Sequence, residues 1–370
     1  MRVLHIQLDL AMGGIESFLF NVYNSIDRNI IQFDFIEYGF EKREFDNKFI
    51  ELGAKIYKLP NRKQNPIQSI LELDKLLKRE KYSIVHIHKN SLSDISAINI
   101  CKKNKVPIII VHSHNTNRDS KIVVILHKIN KYFMKNYNIH KFACSNKAAE
   151  WMFGRNFEKV KIISNGIDTE KFRYNYNLRC ETRKKLNLKD EFIIGNVGRL
   201  TEQKNPIFLI KTFHEVKKII PNCKLMWVGD GLLKKECINL INKLGDNNDI
   251  IFTGKVSNPE AYYQAMDLFV MPSLYEGFPI SSVEAQNSGL HCILSENITK
   301  EIKLSDNISF LPLEIGEDEW AKVIINTYEK IKYEDRKNNQ ELIKNLGFDI
   351  KSTTNTLQKF YEDFYKQDLT

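Results

Sequence analysis

With 370 residues, 42% of them apolar, the chain is long and apolar enough for two cores of ordinary domain size, which excludes a single small binding module. A formal charge of +9 asks for a polyanionic partner: nucleic acid, an anionic membrane surface or phosphorylated substrates. The six cysteines, Cys101, Cys144, Cys180, Cys223, Cys237 and Cys292, show no C-x-x-C spacing, which argues against a zinc or disulfide framework and for a reducing cytoplasm.

Val3 to Leu8 reads as a strand. The chain enters it without the charged stretch and apolar core of a signal segment, and no apolar run approaches the ~18 residues of a spanning helix. A soluble or peripheral cytoplasmic protein is expected. A helix from about Ile15 to Ile26 follows, then strands at Gln32 to Glu37 and Lys55 to Leu59 and a helix through Ile67 to Arg79. A strand at Ile84 to Ile87, a helix through Ala97 to Lys103 and a strand at Pro107 to Val111 complete the first series. Asn165 to Asn187 is polar, rich in Arg and Lys and without a sustained apolar period, so it reads as the join. A second series has strands at Phe192 to Val197, Lys224 to Val228, Ile250 to Phe252, Leu268 to Met271 and Cys292 to Leu294, with helical stretches between them. Alternation of this kind predicts an α/β protein with two doubly wound parallel sheets, whose ligands bind outside the carboxyl ends of the strands.

Several loops there carry suitable chemistry. Gly13-Gly14 precedes the first helix, as either a tight turn or a close backbone approach to an anion. Gly198-Arg199 through Lys204 puts a guanidinium and an ammonium in one strand-to-helix loop, which suits a diphosphate. Gly229-Asp230-Gly231 closes the next strand as a tight turn or a close-approach site. After Leu268 to Met271 comes Tyr275-Glu276-Gly277-Phe278-Pro279, with Glu284 farther on. Pro279 suits the first turn of a helix and Gly289 its left-handed cap, which places Glu276 before the helix and Glu284 on its second turn. The positive N-terminal end favours a phosphate, and carboxylates beside it accept from sugar hydroxyls.

Gly198-Arg199 with Lys204, Gly229-Asp230-Gly231, Thr253-Gly254, Pro272-Ser273 and Glu276-x7-Glu284 occur in the order and rough spacing of family 4 of the retaining glycosyltransferases, which the chain resembles over nearly its whole length. Ser164-Asn165-Gly166-Ile167-Asp168 is similar to the family's interdomain segment, and Glu284 to Glu301 is most similar to the branch that builds capsular polysaccharides and exopolysaccharides. The resemblance implies the GT-B fold, two Rossmann-like domains facing across a cleft. Residues 1–170 would be the acceptor-binding domain, 171–349 the nucleotide-sugar domain, and a helix at about 350–370 would cross back onto the first.

By the same resemblance, Arg199 and Lys204 hold the donor diphosphate, Glu276 the sugar hydroxyls and Glu284 the ribose. The backbone of Gly254-Lys255-Val256 reads the base, while Gly13, Gly14, Gly198, Gly229, Gly277, Phe278 and Pro279 complete the donor site. His114, in the loop after Pro107 to Val111, takes the place of the family's functional histidine. His291 and Gln286 depart from the pattern beside the site. The implied reaction is retaining transfer of a hexose, from a UDP-linked donor most closely, to a polyprenyl-linked glycan, without metal or other cofactor.

Two features stand outside that pattern. His86-Ile87-His88 ends a strand with both rings on one face, a metal-binding spacing. With no Cys or carboxylate set nearby and no D-x-D in the chain, metal is set aside. Lys121 to Lys141 has five lysines and no acid among apolar and aromatic residues. It reads either as a helix lying on an anionic leaflet or as a core-packed helix with a solvated basic face. A GT-B nucleotide-sugar epimerase would not need the E-x7-E pair beside the Arg/Lys loop, and a non-enzymatic basic protein would explain the charge but not the motif order. No nucleic-acid-binding signature is visible.

Overall fold

The apolar runs of the two halves become two separate parallel sheets in the computed structural model, which describes all residues except 9–13, 42, 44–45, 116–119, 156–158, 332–335 and 369–370. The chain divides into two units, one up to Gly166 and again from Ile350, the other Ile167–Asp349. Ile167 donates its N–H to the Phe348 carbonyl at 2.9 Å and Thr169 Oγ1 donates to Asp349 at 2.7 Å, so the chain enters and leaves the second unit side by side.

In the first unit the strands are β1 (Arg2–Leu8), β2 (Gln32–Tyr38), β3 (Lys55–Leu59), β4 (Ile84–Lys89), β5 (Ile108–Ser113), β6 (His140–Ala143) and β7 (Val160–Ile162). They stand in the order β3-β2-β1-β4-β5-β6-β7, with every pair parallel. The helices between them are α1 (Gly14–Ser25), α2 (Asp46–Glu51), α3 (Pro66–Glu80), α4 (Ser96–Lys103), α5 (Lys121–Phe133) and α6 (Asn146–Phe153). Strands covered on both faces need no polar alternation, which is why β4 and β5 are buried at every position. Leu4, Ile6, Val85, Ile87, Ile109 and Val111 pack with Leu73, Leu77 and Ile98 of the helices into one core. Helix ends follow local chemistry: Pro66 starts α3, and the Ser145 hydroxyl accepts the Ala148 N–H at the start of α6.

The second unit opens on α7 (Tyr176–Lys185), inside the stretch read from sequence as aperiodic. The helix is short, strongly polar and capped by Asn175, and it is fixed by tertiary ion pairs. Arg179 and Arg183 grip the buried Asp267 at 2.6 and 3.4 Å. There follow β8 (Phe192–Val197), α8 (Pro206–Ile219), β9 (Cys223–Val228), α9 (Lys234–Leu244), β10 (Ile250–Gly254), α10 (Pro259–Ala265), β11 (Leu268–Met271), α11 (Ile280–Asn287), β12 (His291–Ser295), β13 (Ile308–Leu311), α12 (Gly316–Lys330) and α13 (Gln340–Asn345). The strand order β10-β9-β8-β11-β12-β13 reverses direction between β8 and β11, as the first sheet does between β1 and β4. The loops after β8 and β11 thus flank the crevice of the second sheet.

The last helix, α14 (Ile350–Asp368), belongs to the first unit. Its Tyr361 is fully buried and bonded to His86, and its Phe360 packs on Phe142 with ring centroids 4.6 Å apart. Among the described residues no helix is long and apolar enough to cross a membrane.

Candidate active site

Four strand-end loops of the second unit are tied together by their own backbone. The Gly198 N–H donates to the Val228 carbonyl, the Leu200 N–H to Asp230 and the Gly229 N–H to Gly254, joining the loops after β8, β9 and β10. Gly229 sits at φ +136°, and a Cβ there would lie 2.1 Å from the Gly198 carbonyl oxygen, so only glycine permits this contact. The Leu274 N–H then donates to the Gln203 carbonyl at 2.8 Å, which brings in the loop after β11.

That last junction holds the predicted donor residues. Lys204 Nζ lies 2.6 Å from Glu276 Oε1, and Gln203 Nε2 donates to the Tyr275 carbonyl at 3.0 Å and to Glu276 Oε2 at 3.3 Å. Glu276 is buried and Lys204 half-buried, so this ion pair is sheltered from bulk water. Arg199 is exposed and its side chain makes no hydrogen bond or ion pair among the described residues, which leaves its guanidinium available to an anion. Gly277, Phe278 and Pro279 are buried between the glutamates, and Phe278 stacks on Phe348 at 5.1 Å. Pro279 stands at the N-cap of α11, one residue before the first helical turn expected of it, while Gly289 takes the left-handed conformation at φ +72°. Gly198, Gly254 and Val256 are half-buried along the same loop system.

Glu284, half-buried on α11, accepts the Tyr263 hydroxyl at 2.7 Å. Desolvation raises its pKa to about 7, against the pull of the Tyr263 hydrogen bond and the Lys171 charge. Nothing in the sequence pointed to Tyr263, which lies on α10, but an aromatic hydroxyl five residues before β11 is the kind of polar tip that seeks a buried partner.

In the first unit Gly14 opens α1 and is exposed, whereas Gly13 lies outside the described residues. His114, half-buried just beyond β5, does not stand alone. Its Nε2 lies 2.9 Å from His88 Nδ1, and His88 Nε2 lies 3.0 Å from His5 Nδ1. Beside them His86 Nε2 is 3.2 Å from His112 Nδ1, and His86 Nδ1 is 2.7 Å from the Tyr361 hydroxyl. Strand register builds the cluster: β1 places His5 opposite His86, and β5 places His112 opposite His88. Burial pushes His5 and His114 down to about 3 and keeps the other three well below the usual histidine value, so all five are neutral near pH 7.

In the basic stretch, α5 leaves most of its apolar side chains exposed. The stretch is helical only to Phe133, with a 3-10 turn at Met134–Asn136 and the strand β6 beyond, and Ile122, Ile125, Ile129, Tyr132 and Phe133 are 49 to 69% exposed. Within α5 the buried residue is His127, whose Nε2 bonds the Trp151 carbonyl at 3.0 Å, and beyond the helix Met134 is buried in the core with Tyr137 and Ile139 packed against it.

Residues 12–171 match the family model for Glycosyltransferase Family 4, and residues 179–302 that for Glycosyl transferases group 1. The chain belongs to glycosyltransferase family 4. Over 99% of its length this family 4 chain is 29% identical to the glycosyltransferase EpsF of Bacillus subtilis, covering 98% of that protein. It is 28% identical to the Escherichia coli UDP-Gal:alpha-D-GlcNAc-diphosphoundecaprenol alpha-1,3-galactosyltransferase, over 80% of this chain and 79% of that one. Other relatives include capsular polysaccharide and O-antigen glycosyltransferases. Among solved structures, Anabaena HepE in complex with UDP and glucose superposes with a TM-score of 0.81 at 17% identity, covering 98% of this chain and 99% of that one. The fold is GT-B, and the protein is a glycosyltransferase of the capsular, exopolysaccharide and O-antigen type. Neither the epimerase nor the non-enzymatic basic protein is favoured.

Proposed function

We propose that this family 4 glycosyltransferase moves a hexose from a UDP-linked donor to a growing glycan on a polyprenyl diphosphate carrier, with retention at the anomeric carbon. The observation that carries the reading is the Lys204–Glu276 pair, because it sets a cation for a diphosphate directly beside a carboxylate for sugar hydroxyls. Arg199 and Lys204 would stabilise the diphosphate as charge develops on it, an electrostatic contribution preorganised by the loop contacts. The C1–O bond to the diphosphate breaks while the acceptor oxygen bonds to C1 on the same face, and the acceptor proton passes to a phosphate oxygen. Glu284 would hold the ribose and the backbone of Gly254 to Val256 the base. Neutral His114 would serve as a hydrogen-bonding group and not as a cation.

The UDP bound to HepE and the lipid diphosphate for which the E. coli enzyme is named support the choice of donor and acceptor class. The exposed apolar face of α5, with Lys121 and Lys128 also exposed, supports peripheral attachment to an anionic leaflet, where a polyprenyl carrier would be met.

A panel of nucleotide sugars screened for thermal protection tests the donor, since a bound donor raises the unfolding midpoint by mass action. UDP-sugars are expected to protect, and transfer to a synthetic polyprenyl diphosphate glycan should retain anomeric configuration. Protection only by another nucleotide, or an inverted product, overturns the reading. With protein cations on the diphosphate, activity is expected to persist in EDTA, and a complete loss restored by Mg²⁺ or Mn²⁺ counts against that role.

A further inference from the structure

We propose that His88, His112 and His114 form a three-imidazole site for a transition-metal ion of the Zn²⁺ class. A ring nitrogen from each lies within 4.8 Å of the others. Ligands of a tetrahedral ion at ~2.0–2.1 Å stand about 3.4 Å apart, so an ion replacing the proton shared by His88 Nδ1 and His114 Nε2, now 2.9 Å apart, requires an opening of a few tenths of an ångström. His112 has Nδ1 engaged by His86, which leaves Nε2 to ligate. That atom is buried and has no hydrogen-bond partner among the described residues.

The outer contacts suit this ligation. An ion on His88 Nδ1 and His112 Nε2 puts the remaining protons on His88 Nε2 and His112 Nδ1. Each of those faces a ring nitrogen, of His5 and of His86, that can accept it, and His86 Nδ1 is turned to the Tyr361 hydroxyl. Metal-bound histidines are oriented by such second contacts. A second trio, His5, His86 and His88, is also close enough, but all three of its members are buried. The trio with His114 is the one that includes a half-buried residue, which an ion can reach more readily. Three neutral imidazoles favour Zn²⁺, Cu²⁺ or Ni²⁺ over the oxygen-seeking Mg²⁺ and Mn²⁺. Such an ion would clamp the ends of β4 and β5 and fix the ring of His114. The diphosphate loops belong to the other unit, so the proposal stands apart from the chemistry assigned to Arg199 and Lys204.

The test uses the untagged full-length chain, stripped with chelator and titrated with Zn²⁺ alone by calorimetry, with elemental analysis of the dialysed product. One ion per chain at micromolar or tighter affinity is expected. His112→Gln and His114→Gln should each weaken it at least tenfold, and His291→Gln in the second unit should not. As an independent readout, Co²⁺ added to the wild-type chain should give the intense visible absorption of a four-coordinate ion. His114→Gln, at the half-exposed rim, should keep the wild-type circular dichroism spectrum. Less than stoichiometric uptake with no such absorption, or uptake unchanged in both cluster variants, overturns the proposal.

Discussion

Both units carry a parallel sheet with a reversal of strand order, yet what stands at the strand ends differs in kind. The second unit ends in glycine-rich loops with sheltered charges, Lys204 against Glu276, and an exposed Arg199. The first has five neutral imidazoles packed between β1, β4 and β5, with His88, His112 and His114 toward the strand ends and His86 and His88 centroids 4.3 Å apart. A charge-built site has its field fixed before a ligand arrives, which suits a polyanion. The imidazole-built site has no field of that sort, and its possible ligands are hydroxyls or a soft cation. The fold therefore positions loops without choosing their chemistry.

The sharpest way to break this contrast is to neutralise the charged side. Arg199→Ala and Lys204→Ala are expected to lower kcat by roughly 10²-fold or more while the circular dichroism spectrum stays unchanged, since both groups would meet charge that grows in the transition state. Near-normal turnover in either folded variant removes the diphosphate clamp.

A second large effect belongs to the first unit. At about 1 kcal/mol per lysine near an anionic surface, changing Lys121, Lys128 and Lys135 to Gln should weaken sedimentation with anionic vesicles roughly 100-fold. Lys131 is left in place because its Nζ bonds the Glu150 and Trp151 carbonyls at 2.9 and 2.6 Å, and its loss would loosen α6. Binding absent in the wild type, or indifferent to salt and to these changes, refutes membrane attachment.

The two glutamates separate nucleotide from sugar. Glu284→Ala is expected to weaken free UDP by about tenfold, the scale of losing hydrogen bonds to a charged group. Glu276→Ala should leave UDP nearly unchanged and impair use of the intact donor. Calorimetry showing UDP untouched by loss of Glu284 sends the ribose elsewhere.

Most strands were legible because parallel sheets covered on both faces leave continuous apolar runs, as in Phe192 to Val197. The missed strands are β6, β7 and β13, the last two at sheet edges. Val160-Lys161-Ile162 and Ile308-Ser309-Phe310-Leu311 are short and each is interrupted by a polar residue, and so short an edge strand carries little more signal than a loop. The helical period running past Phe133 gave no warning of the exit to β6. In the site, motif order located the loops, but side-chain pairing was out of reach. Lys204 meets Glu276 only because β8 adjoins β11, and His5 joins the His86 and His88 pair only through the β1–β4 register. Metal was set aside for want of Cys or carboxylate ligands, and the sequence alone did not show that further histidines stand one strand away on either side of His86 and His88.

The finest test of the charged side is its pH dependence. Burial raises the Glu284 carboxyl from 4.5 to about 7, so in the empty protein it is half protonated near neutrality. For a carboxyl raised in this way the sign is fixed: the ionised form costs the empty fold stability as pH rises from 4.5 through 7. Ribose hydroxyls donate to the ionised form and offset that cost, so binding releases a proton. UDP affinity should accordingly rise between pH 6 and pH 8, by roughly tenfold for a single titration near 7, and level off above it. The UDP phosphate titrates nearby, so Glu284→Gln supplies the baseline, and only the wild-type excess over that variant belongs to the carboxylate. Tyr263→Phe should move the excess to higher pH, because the hydroxyl that pulls the carboxyl down is gone. Parallel curves for wild type and Glu284→Gln would mean that the carboxylate does not meet the nucleotide.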